Sequence, residues 1–227
     1  MAKKRKRRKR KLRLGILPAI AVLVFAGIFL TVKSVQKESI PASCREWNLI
    51  LVNRDHPLPE SYEAQLLKLS NGEYVDERMY PYLQEMFDQA RAQGVTLYVR
   101  SGYRSREKQE EIFERRIQSY IDQGMSHDEA KAETEKWVLP PGTSEHETGL
   151  CVDINSKDRY LNQKTADWLH EHAAEYGFVQ RYRTDKSDIT GVNNEDWHYR
   201  YVGREAAEAM VRDDLCLEEY VRKGCSY

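Results

Sequence analysis

Two kinds of hydrophobic pattern run along the chain. Residues 14–32 (LGILPAIAVLVFAGIFLTV) are apolar throughout, 19 positions without a charge. As a helix rising ~1.5 Å per residue, this run reaches ~28 Å, close to the hydrocarbon thickness of a bilayer. From residue 44 on, apolar positions fall into short β-prone runs and stretches of helical spacing. The runs at 48–52 (NLILV), 95–99 (VTLYV), 150–154, 178–182 and 197–202 predict strands. Residues 80–93 show helical spacing and stop at Gly94, and 105–124 start at a capping Ser105 and end at Gly124. Further helices are predicted over 126–137, over 165–176 before Gly177, over 204–211 and over 217–222. LPPG at 139–142 reads as a loop. Short strands in mixed order, with no repeating strand–helix–strand period, predict an α+β fold.

Charge changes how the first run is read. Formal net charge is zero, with 36 basic and 36 acidic residues. Ten of the basic residues lie in 1–13, where there is no acid, which leaves 26 basic against 36 acidic residues, about −10, in 14–227. That distribution excludes a uniformly basic nucleic-acid-binding protein. A basic segment directly before an apolar run predicts a single-pass signal anchor, with the N-terminus cytoplasmic and everything after Val32 extracytoplasmic. A cleaved signal peptide is the competing reading, but its apolar region is usually shorter and ends in a clearer small-residue site. The organisation expected is a basic segment over 1–13, a transmembrane helix over 14–32, a polar linker over 33–43 and one folded domain over 44–227. Cys44, Cys151, Cys216 and Cys225 would then sit where disulfides persist. Cys216 with Cys225, or Cys44 with the chain's end, are the expected pairings, and Cys151, in an apolar run, is expected to be a buried thiol.

The candidate chemistry lies in three segments. In SEHETGLCVD (144–153), His146 leads into an apolar strand that carries Asp153, a carboxylate costly to bury unless paired or metal-bound. In EDWHYRYVG (195–203), His198 enters an aromatic strand close to Glu195. Two imidazoles and a carboxylate are N/O donors that suit zinc among other divalent ions and leave a coordination position open, as catalytic rather than structural sites do. In SGYRS (101–105), Arg104 lies at a strand-to-helix junction, where a guanidinium and free backbone N–H groups favour a carboxylate.

Together, SGYRS, SEHETGLCVDI and EDWHYRYVG, with NLILVNRDHPLP and GFVQRYRTDKSDITG, resemble the zinc D-Ala-D-Ala carboxypeptidases of the VanY type over nearly all of 47–221. The resemblance implies the α+β fold shared with the hedgehog signalling domain, a small antiparallel sheet flanked by helices. It implies a zinc ion held by His146, Asp153 and His198, with Glu195 as the catalytic acid/base. It also implies that Arg104 holds the substrate carboxylate or steadies the scissile carbonyl, that Gln109 and Ser144 contact substrate, and that Trp197 lines the site. Cys151 departs from the pattern, which usually has alanine or another small residue there.

The expected activity is removal of the C-terminal D-Ala from peptidoglycan stem peptides by a membrane-tethered, zinc-dependent D,D-carboxypeptidase. An L,D-carboxypeptidase acting on tetrapeptide stems shares the same motifs. A non-catalytic wall-peptide-binding module is the third reading, and the intact Glu195 argues against it. His56, His127, His170 and His172 lie outside the motifs and are expected to be surface or packing residues.

Overall fold

Strand alternation gives the central sheet two different faces. In the computed structural model, which describes residues 46–224, four strands pair antiparallel throughout in the order β3-β4-β6-β5. They are β3 (Tyr98–Ser101), β4 (Cys151–Asn155), β5 (Phe178–Gln180) and β6 (His198–Tyr201). Val152 and Ile154 of β4, Tyr199 and Tyr201 of β6 and Phe178 of β5 project into the main hydrophobic cluster. Because successive side chains alternate, Cys151 and Asp153 of β4 and His198 and Arg200 of β6 point to the opposite face. All four are buried there as well, so this second face carries an enclosed, largely polar cluster.

Helix α1 (Tyr80–Ala92) covers the core face, and its Leu83, Met86 and Ala90 join the cluster with Trp168 and Leu169 from α4 (Asn162–His172). Burying a side chain of this size contributes about 1.5–3 kcal/mol. Helix α2 (Arg106–Ile121) starts at Ser105, whose hydroxyl accepts from the Lys108 amide at 3.2 Å. Helix α3 (His127–Glu135) starts with a reciprocal capping box between Ser126 and Glu129. The short α5 (Ser187–Thr190) follows β5, and β6 is followed by α6 (Arg204–Arg212) and α7 (Leu217–Arg222). They form a second cluster with Leu49, Leu51 and Val179.

A small hairpin, β1 (Leu66–Lys68) with β2 (Tyr74–Asp76), lies against the loops that carry the site motifs. The Tyr103 amide donates to the Tyr74 carbonyl at 2.6 Å, the Gly102 amide to Glu73 Oε2 at 3.0 Å and the Asp76 amide to the Gly149 carbonyl at 2.9 Å. Gly102 approaches Tyr74 so closely that a Cβ would overlap its carbonyl oxygen. Gly149 sits at φ +75°, the left-handed turn that ends one element and starts β4.

Several sequence expectations need correction. The 48–52 run buries Leu49, Leu51 and Val52 but forms no strand, because its backbone carbonyls serve side chains: Arg200 Nη2 donates to Asn48 O at 3.0 Å and to Ile50 O at 2.8 Å. The strand expected at 95–99 starts three residues later, at Tyr98. His146, expected to lead into a strand, does so from a 3-10 turn over Glu145–Thr148. The expected segments over 1–13, 14–32 and 33–43, together with Cys44 and Cys225, lie outside the described residues. Among the described residues no helix is long and apolar enough to cross a membrane. Cys151 and Cys216 are buried free thiols.

Candidate active site

The pocket face of β4 and β6 gathers the polar groups predicted from the motifs. Asp153 and His198 are direct cross-strand partners, and Asp153 Oδ1 lies 3.0 Å from His198 Nδ1. The 3-10 turn brings His146 in from the side, its Nε2 3.4 Å from the same oxygen. His146 Nδ1 is 2.6 Å from the Gly102 carbonyl, which can only accept, so the ring proton sits on Nδ1 and the Nε2 lone pair faces the pocket. Glu195 comes from the loop before β6. Its amide donates to the Tyr182 carbonyl at 3.0 Å, and its Oε2 lies 3.6 Å from His198 Nδ1. His146, Asp153, His198 and Glu195 are each at most 9% exposed.

Arg104 borders this cluster. Its Nη2 donates to Asp153 Oδ2 at 2.7 Å and its Nε to Ser101 Oγ at 2.9 Å. Its Nη1 points toward Gln109 Oε1 at 3.5 Å. The side chain predicted to meet substrate therefore also braces a predicted metal ligand. Gln109 is buried and donates to the Leu139 carbonyl at 2.7 Å. Ser144 is buried at the entry to the 3-10 turn. Trp197 is half-buried, and its carbonyl accepts from the Ile154 amide at 2.8 Å, which ties the Glu195 loop to β4.

The electrostatics call for positive charge. Burial works to raise the Asp153 pKa, yet His146 and His198 hold it well below the usual carboxylate range. Burial, and then Arg104, act to lower the His146 pKa, but Cys151 and Asp153 lift it to about 9. Burial likewise opposes charge on His198, and its acidic surroundings push it well above the usual imidazole range. Glu195 is shifted up, chiefly by burial. Protonated imidazoles meet this demand, and so would a cation held by the imidazole lone pairs. His146 Nε2 and His198 Nδ1 lie 3.4 and 3.0 Å from the same Asp153 Oδ1, and N/O donors of this kind in a buried site suit zinc. Within the pocket, Asp153, Glu195 and His198 form one compact donor group, with ligand atoms mutually within 4.8 Å, and His146, Cys151 and His198 form another.

The motifs did not draw attention to the layer behind these groups. Glu145 is fully buried and receives Arg181 Nε at 2.8 Å and Arg200 Nη1 at 2.9 Å. Arg181 is clamped in turn by Glu218 of α7, at 2.8 and 2.6 Å. The signal for Arg200 was present in the sequence, two positions after His198 on a strand. Glu145 and Glu218 carry no such signal, because their partners come from distant segments.

This site, on one face of a small antiparallel sheet with two imidazoles, a carboxylate and a second buried carboxylate beside them, defines an α+β domain built around a buried group of potential cation ligands. A model of the VanY family, described as D-alanyl-D-alanine carboxypeptidase, matches residues 72–204. The chain belongs to the VanY D-alanyl-D-alanine carboxypeptidase family. A D-alanyl-D-alanine carboxypeptidase of Enterococcus faecalis (strain ATCC 700802 / V583) is 52% identical over 178 residues, covering 78% of this chain and 66% of that protein, just under two thirds of its length. The solved structure of VanYB in complex with D-alanine-D-alanine aligns at a TM-score of 0.76 and 52% identity, covering 78% of this chain and 98% of that one. A mutant of the vancomycin resistance D,D-pentapeptidase VanY in complex with Zn(II) aligns at 0.75 and 51%, covering 78% and 99%.

Proposed function

We propose that this chain is a zinc-dependent D,D-carboxypeptidase that removes the C-terminal D-Ala from peptidoglycan stem peptides. The observation that carries the reading is the approach of His146 Nε2 and His198 Nδ1 to one oxygen, Asp153 Oδ1, at 3.4 and 3.0 Å, with Glu195 Oε2 3.6 Å from His198 Nδ1. When bound there, zinc supplies a Lewis acid that polarises a carbonyl and lowers the pKa of water. Glu195 acts as general base and then general acid. It takes a proton from the attacking water as the C–O bond forms and passes it to the departing amine as the C–N bond breaks. Burial, which shifts its pKa upward, suits a group that must both accept and release a proton near neutral pH. Arg104 keeps Asp153 in place and, with the N–H groups not engaged by Asp153 and Ser101, binds the terminal carboxylate of the substrate. Gln109 steadies Arg104, and Ser144 and Trp197 line the approach.

The reading includes an N-terminal anchor over 14–32 with the N-terminus cytoplasmic and a linker over 33–43, which together hold the domain against the outer face of the membrane. The unbroken apolar run and the preceding basic segment support this.

The test incubates the detergent-solubilised full chain with pentapeptide and tetrapeptide stems, with and without chelator. D-Ala release from the pentapeptide, lost on chelation and restored by zinc, is the expected result. Release from the tetrapeptide alone would reassign the enzyme as an L,D-carboxypeptidase. Binding of either stem without release would leave the wall-binding module.

A further inference from the structure

His198 has two ring nitrogens, and they face different surroundings. Nδ1 faces Asp153 Oδ1 and Glu195 Oε2, and therefore the metal position inferred above. A lone pair on Nδ1 requires the proton on Nε2. Nε2 is buried and has no hydrogen-bond partner, and Glu145 Oε2, 3.7 Å away, is also buried and without one. Two unpaired, complementary atoms that face each other at this distance lie within about half an ångström of a normal hydrogen bond.

The rest of Glu145 is fixed so as to present that oxygen. Its Oε1 is claimed by Arg181 and Arg200. Arg181 is held by Glu218, and Arg200 by the carbonyls of Asn48, Ile50 and Tyr201. The carboxylate is thus secured at one oxygen by segments from both ends of the domain, and the other oxygen points at the imidazole. Cys151 also borders the two histidines, but a thiol is a weak acceptor.

We propose that Glu145 is a positioning residue that accepts the Nε2 proton of His198, fixes the tautomer that presents Nδ1 to the metal and thereby tightens metal binding. The inference rests on the zinc reading above. Carboxylate partners of metal-bound histidines typically change affinity 10–100-fold when removed.

The test measures the zinc affinity of the full chain by competition with a chromophoric chelator, and the visible spectrum of its cobalt form. Glu145→Gln and Glu218→Gln each remove one carboxylate from the Arg181 clamp, so both perturb the fold. Only Glu145→Gln alters the group facing His198, because the guanidiniums claim the amide oxygen and turn the NH2 toward Nε2. The expected result is a 10–100-fold loss of zinc affinity and a shifted cobalt spectrum for Glu145→Gln, with Glu218→Gln within about twofold of the parent. Should Glu145→Gln fail to fold, Glu145→Asp retains the charge but withdraws the acceptor, and should also weaken zinc. Equal losses in the Glu145 and Glu218 variants, or parental affinity in Glu145→Gln or Glu145→Asp, would overturn the positioning role alone. A parent chain that binds no zinc would overturn the zinc reading along with it.

Discussion

Glu195→Gln separates catalysis from metal binding. The backbone around Glu195 is fixed independently of its carboxylate, by its amide to Tyr182 O at 3.0 Å and by Gln180 Nε2, which reaches Glu195 O at 3.4 Å and Asn194 Oδ1 at 3.2 Å. Glutamine fills the same space but gives up the charge that faces His198 at 3.6 Å, so folding stability should change by about 0.5–3 kcal/mol, the ordinary range for a single substitution. A positioned general base contributes about 10²–10⁴-fold, which is about 2.7–5.4 kcal/mol of barrier. D-Ala release by the variant should fall by that factor, with zinc per chain unchanged. Geometry leaves one rival, because Asp153, Glu195 and His198 offer ligand atoms within 4.8 Å of one another, which would let Glu195 coordinate the ion directly. Turnover measured beside zinc content and thermal unfolding on the same sample decides between them. Loss of zinc would make Glu195 a ligand, and retention of more than a tenth of parental turnover would refute the base assignment.

His198→Ala removes a donor and the group that faces Asp153 Oδ1 at 3.0 Å, so bound zinc should fall close to zero; parental zinc content by metal analysis would take His198 out of the site. Gly102→Ala drives a Cβ into the Tyr74 carbonyl and should cost about 1–3 kcal/mol in denaturant unfolding. It also displaces the carbonyl that orients His146, so zinc affinity should drop with it, and unfolding and affinity both unchanged would contradict the close approach. Burial acts to raise the Glu218 pKa, but Arg181 and Asn53 hold it below the ordinary value. The stability this provides is present above the unfolded pKa, about 4.3, and is lost as pH falls through the lower folded value. The parent should therefore lose stability on acidification below about pH 4.3, with a flatter acid limb in Glu218→Gln, and identical pH profiles of unfolding would refute it.

The helices were legible because their signals are local. Ser105 caps where expected, the helix expected over 126–137 starts after Ser126, and Gly177 ends the segment over 165–176. The nearness of His146, Asp153 and His198 was legible because they lie in short motifs within or beside β-prone runs that pair in the sheet. What eluded the sequence is non-local. The run at 48–52 looks like a strand by composition, yet it finds no neighbouring strand edge, since Arg200 takes two of its carbonyls. The β1–β2 hairpin is only three residues per strand and is half exposed, so it leaves little periodicity. Glu145 and Glu218 look like surface charges until Arg181 joins them from 36 or 37 positions away.

Register explains why three separated motifs make one site. Ser101 pairs with Asp153 across β3 and β4, and Asp153 with His198 across β4 and β6. One row across three hydrogen-bonded strands therefore carries the hydroxyl that holds Arg104 Nε, the carboxylate that Arg104 braces and the imidazole beside it. The first of these pairings depends on an irregularity: the register shifts between Val99 and Ser101. Without the extra residue, Arg100 would stand opposite Asp153 and Ser101 would move to the next position. β4 and β6 are interior strands, paired on both sides, so the ladder fixes the Asp153–His198 spacing more firmly than a loop could. A slip of one residue would carry Asp153 and His198 to the core face and Val152 and Tyr199 into the pocket. The core packing of Val152, Ile154, Tyr199 and Tyr201 therefore opposes the same slip that would dismantle the site, so the hydrophobic residues that say nothing about chemistry fix where the chemistry sits.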